Sequence, residues 1–131
     1  MGNKGVTSGI YRIYDRDTHI SYIGKSKDIR RRWQEHARKF NSKQPQREDL
    51  YRLIFDPVFE ILYEVDDHTQ LNYWEQSYIT EYDSFVNGAN MTLGGKTDLI
   101  KSCVHVLRTR KLNPQEVSRI EGLLRYARGV R

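Results

Sequence analysis

A single cysteine, Cys103, leaves the 131-residue chain with neither a disulfide partner nor a C-x-x-C pair. A cross-linked secreted scaffold and a cysteine-held zinc site are therefore not expected, and a reducing compartment suits the chain. Cys103 itself reads as a small buried apolar residue. Proline is scarce, with three in all, and no low-complexity tract or internal repeat occurs, which argues against linker-like and solenoid chains. No stretch approaches the ~20 apolar residues that cross a bilayer. Residues 1–6 lack the apolar run of a signal peptide, and Val6 stands where a myristoylation signal wants Ser or Thr. A soluble, internal protein with no membrane partner is expected.

Charge of one sign is scarce in two places. Residues 101–131 hold two acidic side chains against eight basic ones, and residues 56–83 hold eight acidic ones and no Lys or Arg. Residues 25–47, in contrast, carry nine basic side chains against Asp28 and Glu35. A polyanion is drawn to this segment and to the tail, and is repelled by much of 56–83 unless a cation intervenes. The length suits one compact domain with a real core and an appended tail.

What the chain does contain is a run rich in β-branched and aromatic residues, Ile10 to Tyr14, followed by a second from His19 to Ile23. The intervening Asp15-Arg16-Asp17-Thr18 is turn chemistry, so a β-hairpin is expected. Gly24-Lys25-Ser26 breaks the strand, Ser26 or Asp28 can cap, and Ile29, Trp33, Ala37 and Phe40 recur at helical spacing. A short helix over 48–55 must end before Pro57. Residues 58–63 read as a third strand, and Leu71, Trp74, Tyr78 and Ile79 form a helical stripe to about Tyr82. Residues 83–96, rich in Gly and Asn, read as a loop.

In the tail, Leu99 to Leu107 suggests a helix, although Val104-His105-Val106 also suits a strand. Asn113-Pro114-Gln115-Glu116 is a capped helix start. The expected class is α/β (α+β): a small three-stranded antiparallel sheet flanked by helices over residues 1–96, with a basic helical extension over 97–131. That extension either docks on the body or contacts a polyanion as an arm.

Gly9-Ile10-Tyr11, Tyr22-Ile23-Gly24, the run Ile29 to His36, Trp74-Glu75-Gln76-Ser77-Tyr78-Ile79 and Asn87-Gly88-Ala89-Asn90 follow one another along the chain. In order and spacing they resemble the signatures of GIY-YIG nucleases over about residues 9–95. Tyr82-Asp83-Ser84 with Asn90-Met91-Thr92-Leu93-Gly94-Gly95 looks most like the phage and group I intron homing endonucleases of that family. That branch usually has an aromatic residue where this chain has Ala89.

The resemblance implies a site of Tyr11, Tyr22, Arg32, His36, Glu75 and Asn90. It implies an endonuclease cutting DNA, duplex DNA first, to leave 5′-phosphate and 3′-hydroxyl ends with the help of one Mg²⁺ or Mn²⁺ per site. Arg32 and His36 share a helical face, and a guanidinium suits a nonbridging phosphate oxygen. Glu75, the one carboxylate in the set, is the expected metal ligand, since Mg²⁺ is commonly held by a single carboxylate with waters and a phosphate. Tyr11 is the expected proton acceptor if nearby cations lower its pKa, with His36 as relay, Tyr22 bonding water or phosphate, and Asn90 orienting Glu75 or its neighbours. Lys25, Lys27, Arg30, Arg31, Arg38, Lys39, Arg119, Arg125 and Arg128 are the expected DNA contacts.

Plainer readings stand beside these. Strand tyrosines usually pack, charged helices are often merely solvated, Trp33 and Trp74 suit a core, and Gly94-Gly95 suits a closing turn better than a phosphate cradle. His19, His68 and His105 read as turn, cap and tail residues. A restriction or defence nuclease, a branched-DNA repair nuclease and a noncatalytic nucleic-acid-binding module remain alternatives. A transient dimer on DNA is compatible with one active site per chain, and the expected location is the cytoplasm of a bacterial or phage-infected cell, at the nucleoid.

Overall fold

The computed structural model describes residues 6–129; the readings of residues 1–5 and of the last two tail positions fall outside them. Strand β1 (Gly9–Asp15) pairs antiparallel with β2 (Ser21–Ser26) as a hairpin and, on its other edge, with β3 (Pro57–Glu64), giving the sheet order β2-β1-β3. Helices α1 (Ile29–Phe40) and α2 (Asp49–Leu53) lie between β2 and β3, and α3 (Leu71–Tyr82) follows a single 3₁₀ turn at His68–Gln70. Helices α4 (Leu99–Thr109) and α5 (Pro114–Ala127) complete the chain, so Val104 to Val106 is helical.

Alternation along the central strand sorts its side chains to two faces. Tyr11 and Ile13 point to one, where Ile29 of α1 and Leu50 of α2 join them with Ile54 and Ala89. Ile10 points to the other, into a larger core with Ile23, Ile79 of α3, Phe85, Val86, Cys103 and Val106 of α4, and Ile120 and Leu123 of α5. Both tail helices thus dock on the body and share its core. The change of charge near residue 96 marks a shift in composition and no break in packing.

The local chemistry explains the boundaries. Asp28 caps α1 by accepting from the Arg31 amide, and Asn113 with Glu116 forms a reciprocal capping box at α5 behind Pro114. Asp15 sits at the hairpin turn, buried. One of its oxygens accepts from the amides of Asp17 and Thr18, and the other from those of Phe55 and Asp56. These four amide bonds hold its carboxyl well below the usual carboxylate range, and they fasten the hairpin to the approach to β3. The register between β1 and β3 slips between Ile10 and Tyr11, a bulge that increases local twist beside the first tyrosine of the site.

Candidate active site

Tyr11 and Gly24 face each other across the hairpin, and the phenol ring lies over the glycine: a Cβ on Gly24 would stand 2.3 Å from Tyr11 Cζ. Only the missing side chain leaves room for the ring. So placed, Tyr11 is 1 % exposed, and its hydroxyl is 2.7 Å from Nε2 of His36. The other ring nitrogen of His36, Nδ1, is 2.7 Å from the hydroxyl of Tyr51 on α2. A neutral imidazole donates from one nitrogen and accepts at the other, so Tyr11, His36 and Tyr51 form one hydrogen-bonded row from the buried strand to α2. Sequence reasoning missed Tyr51; the run Asp49 to Leu53 showed only a short helix.

One turn before His36 on α1, Arg32 donates to Glu35 at 2.6 Å, and Glu35 also holds Arg31 at 2.6 Å. Arg32, His36, Tyr22 and Tyr51 line a cleft of about 230 Å³ that also receives Glu75 and Asn90. Glu75 comes from α3, which packs chiefly against the edge strand β2, and this lets a residue of the opposite layer reach the tyrosine side. Five of the six expected residues thus line one cleft, and Tyr11 stands behind them.

Glu75 Oε1 accepts from the Gly95 amide at 2.8 Å and lies 3.6 Å from Lys25 Nζ. Gly94 and Gly95 both have positive φ, 88° and 63°, and a Cβ on Gly94 would meet Glu75 Oε1 at 3.0 Å. The glycine pair is a turn, and what its amide cradles is a carboxylate. Lys25, expected to contact DNA, is instead drawn to Glu75 and Asn72, because a half-buried carboxylate attracts the nearest cation.

Asn90 also takes a role other than the expected one. Its Oδ1 accepts from the Ile23 amide at 2.8 Å and the Ser84 hydroxyl at 2.6 Å, and its Nδ2 donates to the Ile23 carbonyl at 2.9 Å. Those bonds pin the strand residue between Tyr22 and Gly24 and leave no side-chain bond to Glu75. Arg119, another expected DNA contact, is spent internally: it donates to the carbonyls of Phe85 and Asn90 at 2.7 and 2.9 Å and to Asp49 at 2.9 Å. Lys27, Arg30, Arg31, Arg38, Lys39, Arg125 and Arg128 are exposed, and Lys39 lines the cleft.

Burial governs the electrostatics. It raises Tyr11 far above the usual phenol range, with Tyr22 adding to the effect and Arg32 opposing it, so Arg32 does not make Tyr11 the readily ionised base that was expected. Tyr22 is pushed up to about 12 by burial and by Glu75. His36 is lowered to about 4 by burial, then by the charges of Arg32 and Lys39, and is neutral at pH 7. Burial raises Glu75, against the pull of the Gly95 amide and Lys25.

Among the described residues no three His, Cys, Asp or Glu side chains converge as a metal cage. Glu75 lines the cleft, and among the described residues no hydrogen bond is made to its Oε2. One free carboxylate oxygen in an open polar cleft fits a hard cation that retains most of its water.

The model of the GIY-YIG catalytic domain matches residues 7–90, which takes in Tyr11 and the residues lining the cleft except Met91 and Thr92. Two solved structures share the fold. The catalytic domain of the homing endonuclease I-TevI is 26 % identical with a TM-score of 0.58, covering 65 % of this chain and 98 % of that one. An alanine mutant of the catalytic domain of intron endonuclease I-TevI is 24 % identical with a TM-score of 0.60, covering 68 % and 97 %. No curated protein matches the chain in sequence.

Proposed function

Because the chain belongs to the GIY-YIG family of catalytic domains, we propose that it is an endonuclease that hydrolyses phosphodiester bonds in duplex DNA. The observation that carries this reading is the common cleft of Tyr22, Arg32, His36, Glu75 and Asn90, backed by the Tyr11–His36 hydrogen bond. A phosphodiester gathers negative charge as water adds to it. Arg32, fixed on a helix and oriented by Glu35, offers a planar guanidinium to that charge. Glu75 Oε2 would hold a single Mg²⁺ or Mn²⁺, which supplies electrophilic stabilisation of the departing 3′ oxygen.

Proton transfer runs along the tyrosine–histidine row. In the free protein His36 is a weak base, first because it is buried and then because Arg32 and Lys39 stand near it. A phosphate bound to those two cations offsets their charge and moves His36 upward, while the larger lowering, from burial, remains. At that point its Nε2 accepts the Tyr11 proton as Tyr11 takes one from the attacking water, so the proton rests on the imidazolium, whose Nδ1–H stays bonded to the Tyr51 hydroxyl. Substrate binding thereby prepares the base, which accounts for a phenol that is firmly protonated at rest.

The test is incubation of the purified chain with supercoiled plasmid in Mg²⁺, Mn²⁺ or EDTA. Nicked or linear products with 5′-phosphate ends, dependent on the divalent ion and lost in Arg32→Ala and Glu75→Gln, are expected. Cutting that persists in the double variant overturns the site, and binding without turnover under any divalent ion overturns the enzyme.

A further inference from the structure

A second groove, of about 390 Å³, runs between α2 and α5. Arg47 and Arg52 line one side, Gly122 and Tyr126 of α5 line the other, and Met91 lines both this groove and the catalytic cleft. The two depressions therefore adjoin at Met91. The one acidic side chain lining the second, Asp49, bonds Arg119 at 2.9 Å and lies 3.6 Å from Arg52 Nη1, so three arginines surround a single carboxylate. The charges of Arg47 and Arg52 are left to dominate the rim, and both side chains are exposed.

Gly122 supplies an independent observation. A glycine in a helix interior weakens the helix relative to alanine, so some contact usually explains it. Here, outside its own helix backbone and among the described residues, a Cβ would meet nothing nearer than Arg125 Nη2 at 4.0 Å, and no packing among them requires its absence. One turn on, the ring of Tyr126 is 47 % exposed beside the same groove. Bare helix backbone, an uncovered aromatic ring and two exposed guanidinium groups together suit a sugar–phosphate chain, which needs close approach, a stacking or hydrogen-bonding face and positive charge.

We infer that the α2–α5 groove holds the phosphodiester backbone of the DNA strand beside the bond being cut. The inference rests on the endonuclease reading and extends it to α5, beyond the residues matched to the family. It gives the tail a defined use: α5 forms one wall of the substrate channel.

The experiment measures anisotropy of a labelled DNA duplex in EDTA across a salt series, with cleavage in Mg²⁺ measured in parallel. Arg47→Ala/Arg52→Ala is expected to weaken binding by roughly tenfold at 0.1 M salt and to reduce the salt slope by about 2, one phosphate for each arginine. Gly122→Leu, which favours the helix while filling the groove, is expected to raise the melting temperature and yet weaken binding several-fold. Unchanged affinity and slope in both variants, while the wild type cuts duplex, overturns the groove and spares the nuclease reading. A wild type that binds through these residues but never cuts overturns the nuclease reading and spares the groove. A wild type that does not bind duplex overturns both.

Discussion

Arg119→Ala should be the most damaging single change outside the cleft. The guanidinium makes three bonds of 2.7 to 2.9 Å, to Phe85 O, Asp49 Oδ2 and Asn90 O, and the side chains of Arg119 and Asp49 are 18 % and 11 % exposed. Breaking a buried ion pair by removing one partner costs about 3–5 kcal/mol, because the remaining charge is stranded. Here Arg52 Nη1, at 3.6 Å, offers Asp49 partial compensation, so about 3 kcal/mol is expected. For a chain of this length that is a fall of roughly 10 °C in melting temperature. Circular dichroism melts and urea titration measure it. The origin of the loss gives a sharper check: if a stranded carboxylate is responsible, Asp49→Ala in the Arg119→Ala background should restore stability. Arg119→Lys, with one ammonium for three acceptors, should fall between. A loss under about 1 kcal/mol, or a double variant weaker than the single, refutes the reasoning.

Three further outcomes follow from the cleft. Gly24→Ala puts a methyl 2.3 Å from Tyr11 Cζ; the ring must leave its place, at a stability cost of about 1–3 kcal/mol, and plasmid cutting should fall at least 100-fold as the bond to His36 breaks. Folding lowers His36 from about 6.5 to about 4, so the unfolded chain binds more protons in that window. The resulting stability is full above pH 6.5 and is lost as pH falls toward 4, about 2 kcal/mol once solvent screening of Arg32 and Lys39 is allowed for. Urea titrations from pH 4 to 7.5 should show this slope in the wild type and not in His36→Gln. Glu75→Gln should abolish cutting without lowering the melting temperature: burial disfavours the charged carboxylate, and the amide oxygen can still accept from Gly95. A drop of 5 °C or more would contradict that balance.

Much of the fold was legible because it depends on local rules. β-Branched and aromatic composition marked Ile10 to Tyr14 as a strand, and the spacing of Ile29, Trp33 and Phe40 marked α1. Asn113-Pro114-Gln115-Glu116 wrote its own capping box. The cleft was legible where a signature carried it: Tyr22, Arg32, His36 and Glu75 converge as expected. What escaped depends on partners far away in sequence. No spacing rule links His36 to Tyr51 or Arg119 to Asp49, and a tally of basic residues cannot separate an arginine spent on internal carbonyls from one facing solvent. Asn90 was misread for the same reason, since its partner Ile23 lies 67 residues away.

The misjudged protonation of Tyr11 shows which physical quantity a sequence withholds. Arg32 does sit close enough to favour a phenolate, and by charge alone the expectation was sound. Depth decides otherwise, because a ring 1 % exposed loses more from desolvation than one neighbouring cation returns. The same balance operates across the cleft. Lys25 offsets part of the burial of Glu75, while Arg32 and Lys39 add to the burial of His36 in keeping it neutral. The resting cleft therefore keeps Tyr11 and His36 away from their working states chiefly by burying them, and Arg32 and Lys39, the cations that a phosphate would engage, add to the effect at His36 alone. His36 followed by NMR in Glu75→Gln should titrate near 4 alone and higher with duplex bound. An unmoved titration would separate the cations from the base and leave the tyrosine–histidine row a packing feature.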